Sequence, residues 1–141
     1  MELHINVLAV FASALASFVV GAIWFGPKTF YPIWIKAQGK TMRQRGEQKG
    51  MAGVFIATFL AQLAMAFTGA VVISWYEGFK MMAITPMEGL NAGLLLGVGV
   101  AAAASLSHRL FSQVGFKVWA IEVGQDIVGF AVMGLILASW R

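Results

Sequence analysis

The chain has 141 residues, of which 60% are hydrophobic and only 11% are charged. An average soluble domain is roughly 45–50% apolar and about 25% charged, so too few charged groups remain to cover a soluble globule of this size. The composition therefore argues against a cytoplasmic enzyme or a disordered chain and indicates a membrane protein. The absence of cysteine excludes disulfides, thiolate metal sites and a cysteine nucleophile.

Four apolar stretches follow one another along the chain, at about residues 3–25, 51–75, 87–107 and 118–140. Each exceeds the roughly 18 residues expected of a membrane-spanning helix. Backbone N–H and C=O groups in lipid must be satisfied within the segment, so runs of this length are expected to be helices. The predicted fold is all-α, an integral membrane four-helix bundle that forms a single transmembrane domain over residues 1–141. The first stretch is interpreted as a retained helix, because Glu2 is the only charge that precedes it.

The distribution of basic residues predicts an orientation in the membrane. Loop 26–50 and the link after the third stretch must lie on the same side, and together they hold eight of the ten Lys and Arg residues. The positive-inside rule places that side in the cytoplasm and both termini on the outer side, as in a bacterial inner membrane. Topology thus accounts for the positive charge, and no nucleic-acid partner is predicted.

Aromatic and basic residues in and beside loop 26–50 predict contact with the lipid interface. The tryptophans fall at or just beyond predicted helix ends, which is typical of an aromatic belt. A short interfacial helix is expected between Pro27 and Lys36, and the later basic residues would be drawn to anionic lipid. The alternative is a basic loop whose charges only fix the topology. The predicted interface residues are Trp24, Tyr31, Trp34, Lys36, Arg43 and Arg45.

Small residues recur at four-residue spacing, which places them on one helix face and lets helix backbones approach closely. This spacing does not distinguish contact within one chain from contact between chains. A homo-oligomer, with a dimer favoured, is expected because four thin helices alone make a narrow bundle. The third stretch carries Gly89, Gly93, Gly97, Ala101 and Ser105; the second carries Gly53, Ala57 and Ala61, then Gly69 after a gap at Met65; and the first carries Ala9, Ser13, Ser17 and Gly21.

Two acids lie inside the fourth stretch, where a charge costs at least about 2.5–3.5 kcal/mol on insertion scales. Glu122 and Asp126 are four residues apart and therefore share one helix face. One interpretation is structural: Glu122 pairs with Arg109 or Lys117, and Asp126 is protonated or bonded to Gln62. The other is a polar path for a proton or cation, ordered by depth. Its members would be His108, Glu122, Asp126, Gln125, Gln62 and Asn91.

No Ser/His/Asp triad, P-loop or dinucleotide fingerprint is present, so no catalytic residue and no cofactor is predicted. A metal site from His108, Glu122 and Asp126 is only weakly indicated, and no metal is predicted. The leading hypothesis is a small oligomeric channel or transporter for protons, ions or small solutes. The alternatives are a structural or regulatory membrane partner protein and a lipid-binding membrane protein.

Three segments carry a resemblance to a known family. The first helix ends in GAIWFGP over residues 21–27, and the fourth reads IEVGQD over 121–126 and closes in MGLILASW over 133–140. With these segments the chain resembles, over nearly its whole length, the small membrane proteins of the domain-of-unknown-function 1761 family. The resemblance implies a four-helix membrane fold and no particular activity.

Overall fold

A computed structural model describes residues 4–41 and 50–141 of the chain. Within these ranges the structure is all-α and contains no strand. The helices are α1 (Val7–Trp24), α2 (Tyr31–Ala37), α3 (Met51–Lys80), α4 (Pro86–Leu96), α5 (Ala103–Phe111) and α6 (Phe116–Ser139). The π-helical segment Gly97–Ala102 joins α4 to α5 without a break. Helices α1, α3, the run from α4 through α5, and α6 are each long and apolar enough to cross a membrane, which confirms the predicted fold class.

Polar residues determine where several helices begin. The Asn6 side chain accepts hydrogen bonds from the backbone N–H groups of Leu8 and Ala9 and so caps α1. At the start of α4, Thr85 and Glu88 form a reciprocal capping box around Pro86. These side chains satisfy N–H groups that the first helical turn leaves without partners.

Charged residues extend α3 beyond the predicted apolar stretch. The helix ends at Lys80 rather than near residue 75. The Lys80 ammonium lies 2.6 Å from Glu88, and Arg141 forms an ion pair with Glu77. Glu77 also accepts a hydrogen bond from the backbone N–H of Ile84. These contacts tie the link 81–85 and the end of α6 to the last turns of α3.

Helix α6 is the central element, since it contacts every other helix and the π-helical segment. Its closest neighbour is α4, and glycine permits that approach. A Cβ atom added at Gly93 would lie 2.1 Å from the carbonyl oxygen of Phe130, and one at Gly89 would lie 2.3 Å from that of Gly134. At Gly97 it would lie 2.9 Å from the Cα of Ile127. We call Gly89, Gly93, Gly97 and Gly134 the glycine seam. Its backbone-to-backbone contact shows that most of the predicted small-residue stripe packs within one chain.

Few side chains of the other helices pack against the first half of α3. Residues 52–58 are exposed, and a Cβ atom at Gly53 would meet nothing within 4 Å. This half is held to α1 by edge-to-face aromatic contacts, in which Phe59 lies 5.8 Å from Phe11 and 5.7 Å from Phe18 between ring centroids. The members Gly53, Ala57 and Ala61 of the second predicted small-residue stripe are therefore exposed, and no helix of the described residues packs on them.

Candidate functional site

Three elements meet around Glu122 at the end of the bundle formed by α2 and the link 112–115, which we call the basic end. The indole N–H of Trp34 on α2 donates to Glu122 Oε1 at 3.1 Å. The Arg109 guanidinium on α5 lies 2.9 Å from Oε2, an ion-pair distance, but it is not aligned to donate a hydrogen bond to that oxygen. Of the two cations considered from sequence, Arg109 is therefore the partner of Glu122, and Lys117 is exposed.

Asp126 lies one turn further into the bundle and has different surroundings. It lines a crevice between α1, α3 and α6 that is too narrow to hold a water molecule. Within the described residues, no hydrogen-bond or ion-pair partner of Asp126 is found. We call this the polar crevice, and its lining consists of Ser17, Gln62, Met65, Gln125, Asp126, Phe130 and Met133.

Two buried polar side chains on neighbouring helices are bonded to each other in the polar crevice. The Ser17 hydroxyl donates to Gln62 Oε1 at 2.8 Å, and both residues are at least 95% buried. The predicted alternative, a hydrogen bond between Asp126 and Gln62, is not found, and Ser17 from α1 takes its place. The sequence does not predict a role for Ser17 in the site. Its place in a small-residue stripe of α1 carried no indication that its hydroxyl would reach α3.

The second amide of the site, Gln125, is 92% buried. No hydrogen-bond partner of its side chain is found in the described part of the chain. Two glycines lie beside it, and Cβ atoms at Gly21 and Gly129 would be in ordinary van der Waals contact with its Nε2 atom, at 3.4 and 3.5 Å. A Cβ atom at Gly129 would also lie only 2.5 Å from the Ser17 hydroxyl. Glycine at position 129 is thus what lets α1 bring Ser17 to the polar crevice.

Other residues of the predicted polar path lie elsewhere. His108 is exposed in the last turn of α5, at the basic end. Asn91 is exposed on α4, outside the polar crevice. The structure therefore brings together Gln62, Gln125 and Asp126, with Glu122 one turn away, and leaves His108 and Asn91 apart from them.

Several interface tryptophans make specific contacts inside the bundle. Besides Trp34, the indole of Trp24 donates to the carbonyl oxygen of Ile121 at 2.9 Å, and that of Trp119 donates to Ser105 at 3.1 Å. Ser105 thus contacts the start of α6, while Ala101 is half-buried. An indole at a helix end can therefore tie two elements together in addition to occupying the interface.

The predicted interfacial helix corresponds to α2, which carries exposed Ile33 and Lys36 beside half-buried Tyr31. Tyr31 packs against Trp34 with ring centroids 6.0 Å apart. Two of the predicted interface residues, Arg43 and Arg45, lie outside the described residues.

A wider cavity of about 720 Å³ opens at the opposite end of the bundle. Its polar lining includes His4, Asn6 and Ser74 together with the ion pair of Glu77 and Arg141. The two charges neutralise each other, so this cavity presents no net charge from that pair.

Among the described residues, no three His, Cys, Asp or Glu side chains come close enough to hold a metal ion together. Asp126 has amide and hydroxyl neighbours instead. Over residues 4–41 and 50–141, the site thus consists of one carboxylate for which no partner is found, a second carboxylate neutralised by arginine, and three uncharged polar groups.

Fold and site together define a small all-α membrane protein with an acidic group inside its helix bundle. A family model described as a protein of unknown function, DUF1761, matches residues 8–138. The chain therefore belongs to this family, which confirms the resemblance seen in its sequence. No curated protein and no solved structure matches the chain.

Proposed function

We propose that this protein is a small channel or transporter for a proton or a small cation, and that Asp126 is the group that binds it. The observation that carries this proposal is the contrast between the two acids of α6. Glu122 has Arg109 and Trp34 as partners, whereas Asp126 lies inside the bundle with no partner among the described residues. Ionisable groups at membrane depth are expensive and characteristically mark ion pathways or proton relays.

The position of the Glu122–Arg109 pair supports a role in access to Asp126. The pair lies at the basic end, one helical turn from Asp126, so it stands beside the route by which a cation from this end would reach the polar crevice. Arg109 repels cations while it is in place, and Glu122 attracts them when the pair separates. The pair would therefore control how readily Asp126 exchanges its ion with that side of the membrane.

The remaining features of the proposal concern the membrane and assembly. The concentration of Lys and Arg at the basic end supports a cytoplasmic location for it, with both termini outside, in a bacterial inner membrane. Exposed Lys28 and Lys36 flank exposed apolar side chains around α2, which supports contact with anionic lipid. We also propose a homo-oligomer, with a dimer favoured, because the stripe at Gly53, Ala57 and Ala61 is left open.

Flux into proteoliposomes tests the proposal. Purified wild-type protein is expected to conduct H⁺, read by an entrapped pH dye, or ²²Na⁺, read by filtration, under an imposed potential. Asp126→Asn should abolish this flux while the protein still elutes as the wild type does. Glu88→Gln is the matched control, because it removes one carboxylate charge at the opposite end of the bundle.

The effects of Asp126→Asn and Glu122→Gln decide the outcome together. If both variants carry wild-type flux, neither acid lies on a transport path and the proposal is wrong. If the wild-type protein conducts neither ion, the proposal is wrong as well. Loss of flux in Asp126→Asn with normal flux in Glu88→Gln supports it.

A further inference from the structure

We propose that the polar crevice binds a small, dehydrated monovalent metal cation of the Na⁺ class, held by the Asp126 carboxylate and by uncharged oxygens of Ser17, Gln62 and Gln125. The inference rests on the proposed function, in which Asp126 is the ionisable group. It adds the substrate class, a metal cation rather than a proton.

The donor set is the first argument. A proton needs only the carboxyl group and a route to it, whereas a metal ion needs several oxygens around it. The polar crevice supplies a carboxylate, two carboxamides and a hydroxyl from three different helices. Hard cations prefer ligands of these types, carboxylate and carbonyl oxygens above all.

The hydrogen bonds leave these oxygens available. Ser17 donates its only hydroxyl proton to Gln62, so the lone pairs of Ser17 remain free to act as ligands. The Gln62 carbonyl oxygen accepts one hydrogen bond and has a second lone pair.

Gln125 is the independent observation that points to a ligand. The Gln125 side chain is 92% buried and its carboxamide has no hydrogen-bond partner in the described chain, which is unfavourable for a polar group in such surroundings. Leucine would fill a similar volume without leaving an amide unpaired. A bound cation would give the Gln125 oxygen the partner that the protein does not.

Charge and size select a monovalent ion. Arg109 neutralises Glu122, so Asp126 provides a single uncompensated negative charge. One positive charge balances it, whereas a divalent ion would leave excess charge in apolar surroundings. Because the polar crevice does not admit a water molecule, the ion must enter without its hydration shell.

Equilibrium binding of ²²Na⁺ to the purified full-length protein in detergent tests the inference. Ionic strength is held constant with choline chloride, and the unfolding temperature is followed in parallel. The wild-type protein should retain ²²Na⁺, unlabelled Na⁺ should displace it, and Na⁺ should raise the unfolding temperature relative to choline. Asp126→Asn should remove both effects.

Gln125→Leu separates binding from folding. No hydrogen bond of the Gln125 side chain is found among the described residues, so this variant should unfold in choline at or above the wild-type temperature. Its affinity for Na⁺ should fall about tenfold or more, the equivalent of about 1.4 kcal/mol. Asn91→Leu is the matched control, since it replaces an exposed amide outside the polar crevice and should leave the affinity unchanged.

The possible failures are distinguishable. If the wild-type protein shows no Na⁺-specific retention but conducts H⁺ through Asp126, the metal-cation inference is wrong and the proposed function stands. If it shows neither, both are wrong. If Gln125→Leu and Asp126→Asn bind ²²Na⁺ as the wild type does, the ion lies elsewhere and the inference is wrong.

Discussion

Glu122 and Asp126 are one turn apart on α6, and their immediate neighbours give them different roles. The sequence predicts that both acids share a face, because a spacing of four residues does so in any helix. It also offers Arg109 as a partner for Glu122, which the structure places at 2.9 Å. Trp34 could not be anticipated, since it lies 88 residues away in the chain and no local pattern connects the two positions.

The arrangement around Glu122 predicts a non-additive pair of substitutions. Arg109→Gln leaves a mostly buried carboxylate without its cation, and we expect the free energy of unfolding to fall by about 1–2 kcal/mol. Adding Glu122→Gln should restore part of this loss, because no uncompensated charge then remains. Denaturant titration in mixed micelles measures both. Lys117→Gln, which removes an exposed cation, should change stability by less than about 0.5 kcal/mol. Strictly additive effects would contradict the ion pair.

At the scale of elements, the spacing of small residues identifies a helix face but not what packs against it. The stripe on α4 and the stripe on α3 look alike in sequence. In the structure the first forms the glycine seam with α6, whereas the second is exposed. The two stripes differ because of which helices the short links bring next to each other. That arrangement depends on the whole chain and cannot be read from the residue spacing within one helix. The apolar pattern does not predict the extra length of α3, because the last turn of this helix is stabilised by ion pairs rather than by apolar residues.

The glycine seam predicts a sharp positional difference between two identical substitutions. Gly93→Ala would place a methyl group against the backbone of Phe130 and force α4 away from α6. We expect a loss of about 3 kcal/mol or more, at the upper end for overpacking. Gly99→Ala is the control, because a Cβ atom there would come no closer than 3.9 Å to a side chain. Its effect should stay within about 1 kcal/mol. Equal losses, measured by denaturant titration in mixed micelles, would show that the seam is not tightly packed.

At the scale of the whole molecule, the sequence predicts the fold class well. Each of the four apolar stretches is long enough to cross the hydrocarbon layer, and its backbone N–H and C=O groups must be hydrogen-bonded within the stretch, so few structures other than four helices are possible. The site is predicted only in part. The position of each residue along its helix predicts that Gln62, Gln125 and Asp126 lie at a similar depth in the membrane. It does not predict which way a side chain faces. Asn91 illustrates this, since its depth suggested a polar path and its side chain is exposed on α4.

The orientation of the molecule can be measured directly because the chain contains no cysteine. Ser112→Cys introduces a thiol at the basic end, and Met82→Cys introduces one in the exposed link at the other end. In spheroplasts of a bacterial expression host, a membrane-impermeant maleimide should label Met82→Cys at once. It should label Ser112→Cys only after permeabilisation. The reverse pattern would place both termini inside and contradict the predicted topology.

The glycine contacts also have a mechanical consequence. Helix α4 meets α6 backbone to backbone, and α1 meets it through the hydroxyl of Ser17 at Gly129. Sliding of either pair would bring these atoms into collision, so we expect α1, α4 and α6 to move as one rigid body. Helix α3 is joined to the rest of the bundle through side chains: Leu137 packs at Gly69, Ser17 donates to Gln62, and Arg141 pairs with Glu77. Because side chains adapt more readily than a backbone contact, we expect a tilt of α3 to be the easiest relative motion of the helices. Gln62 lies on α3 and Asp126 lies on α6, so such a tilt changes the distance between them.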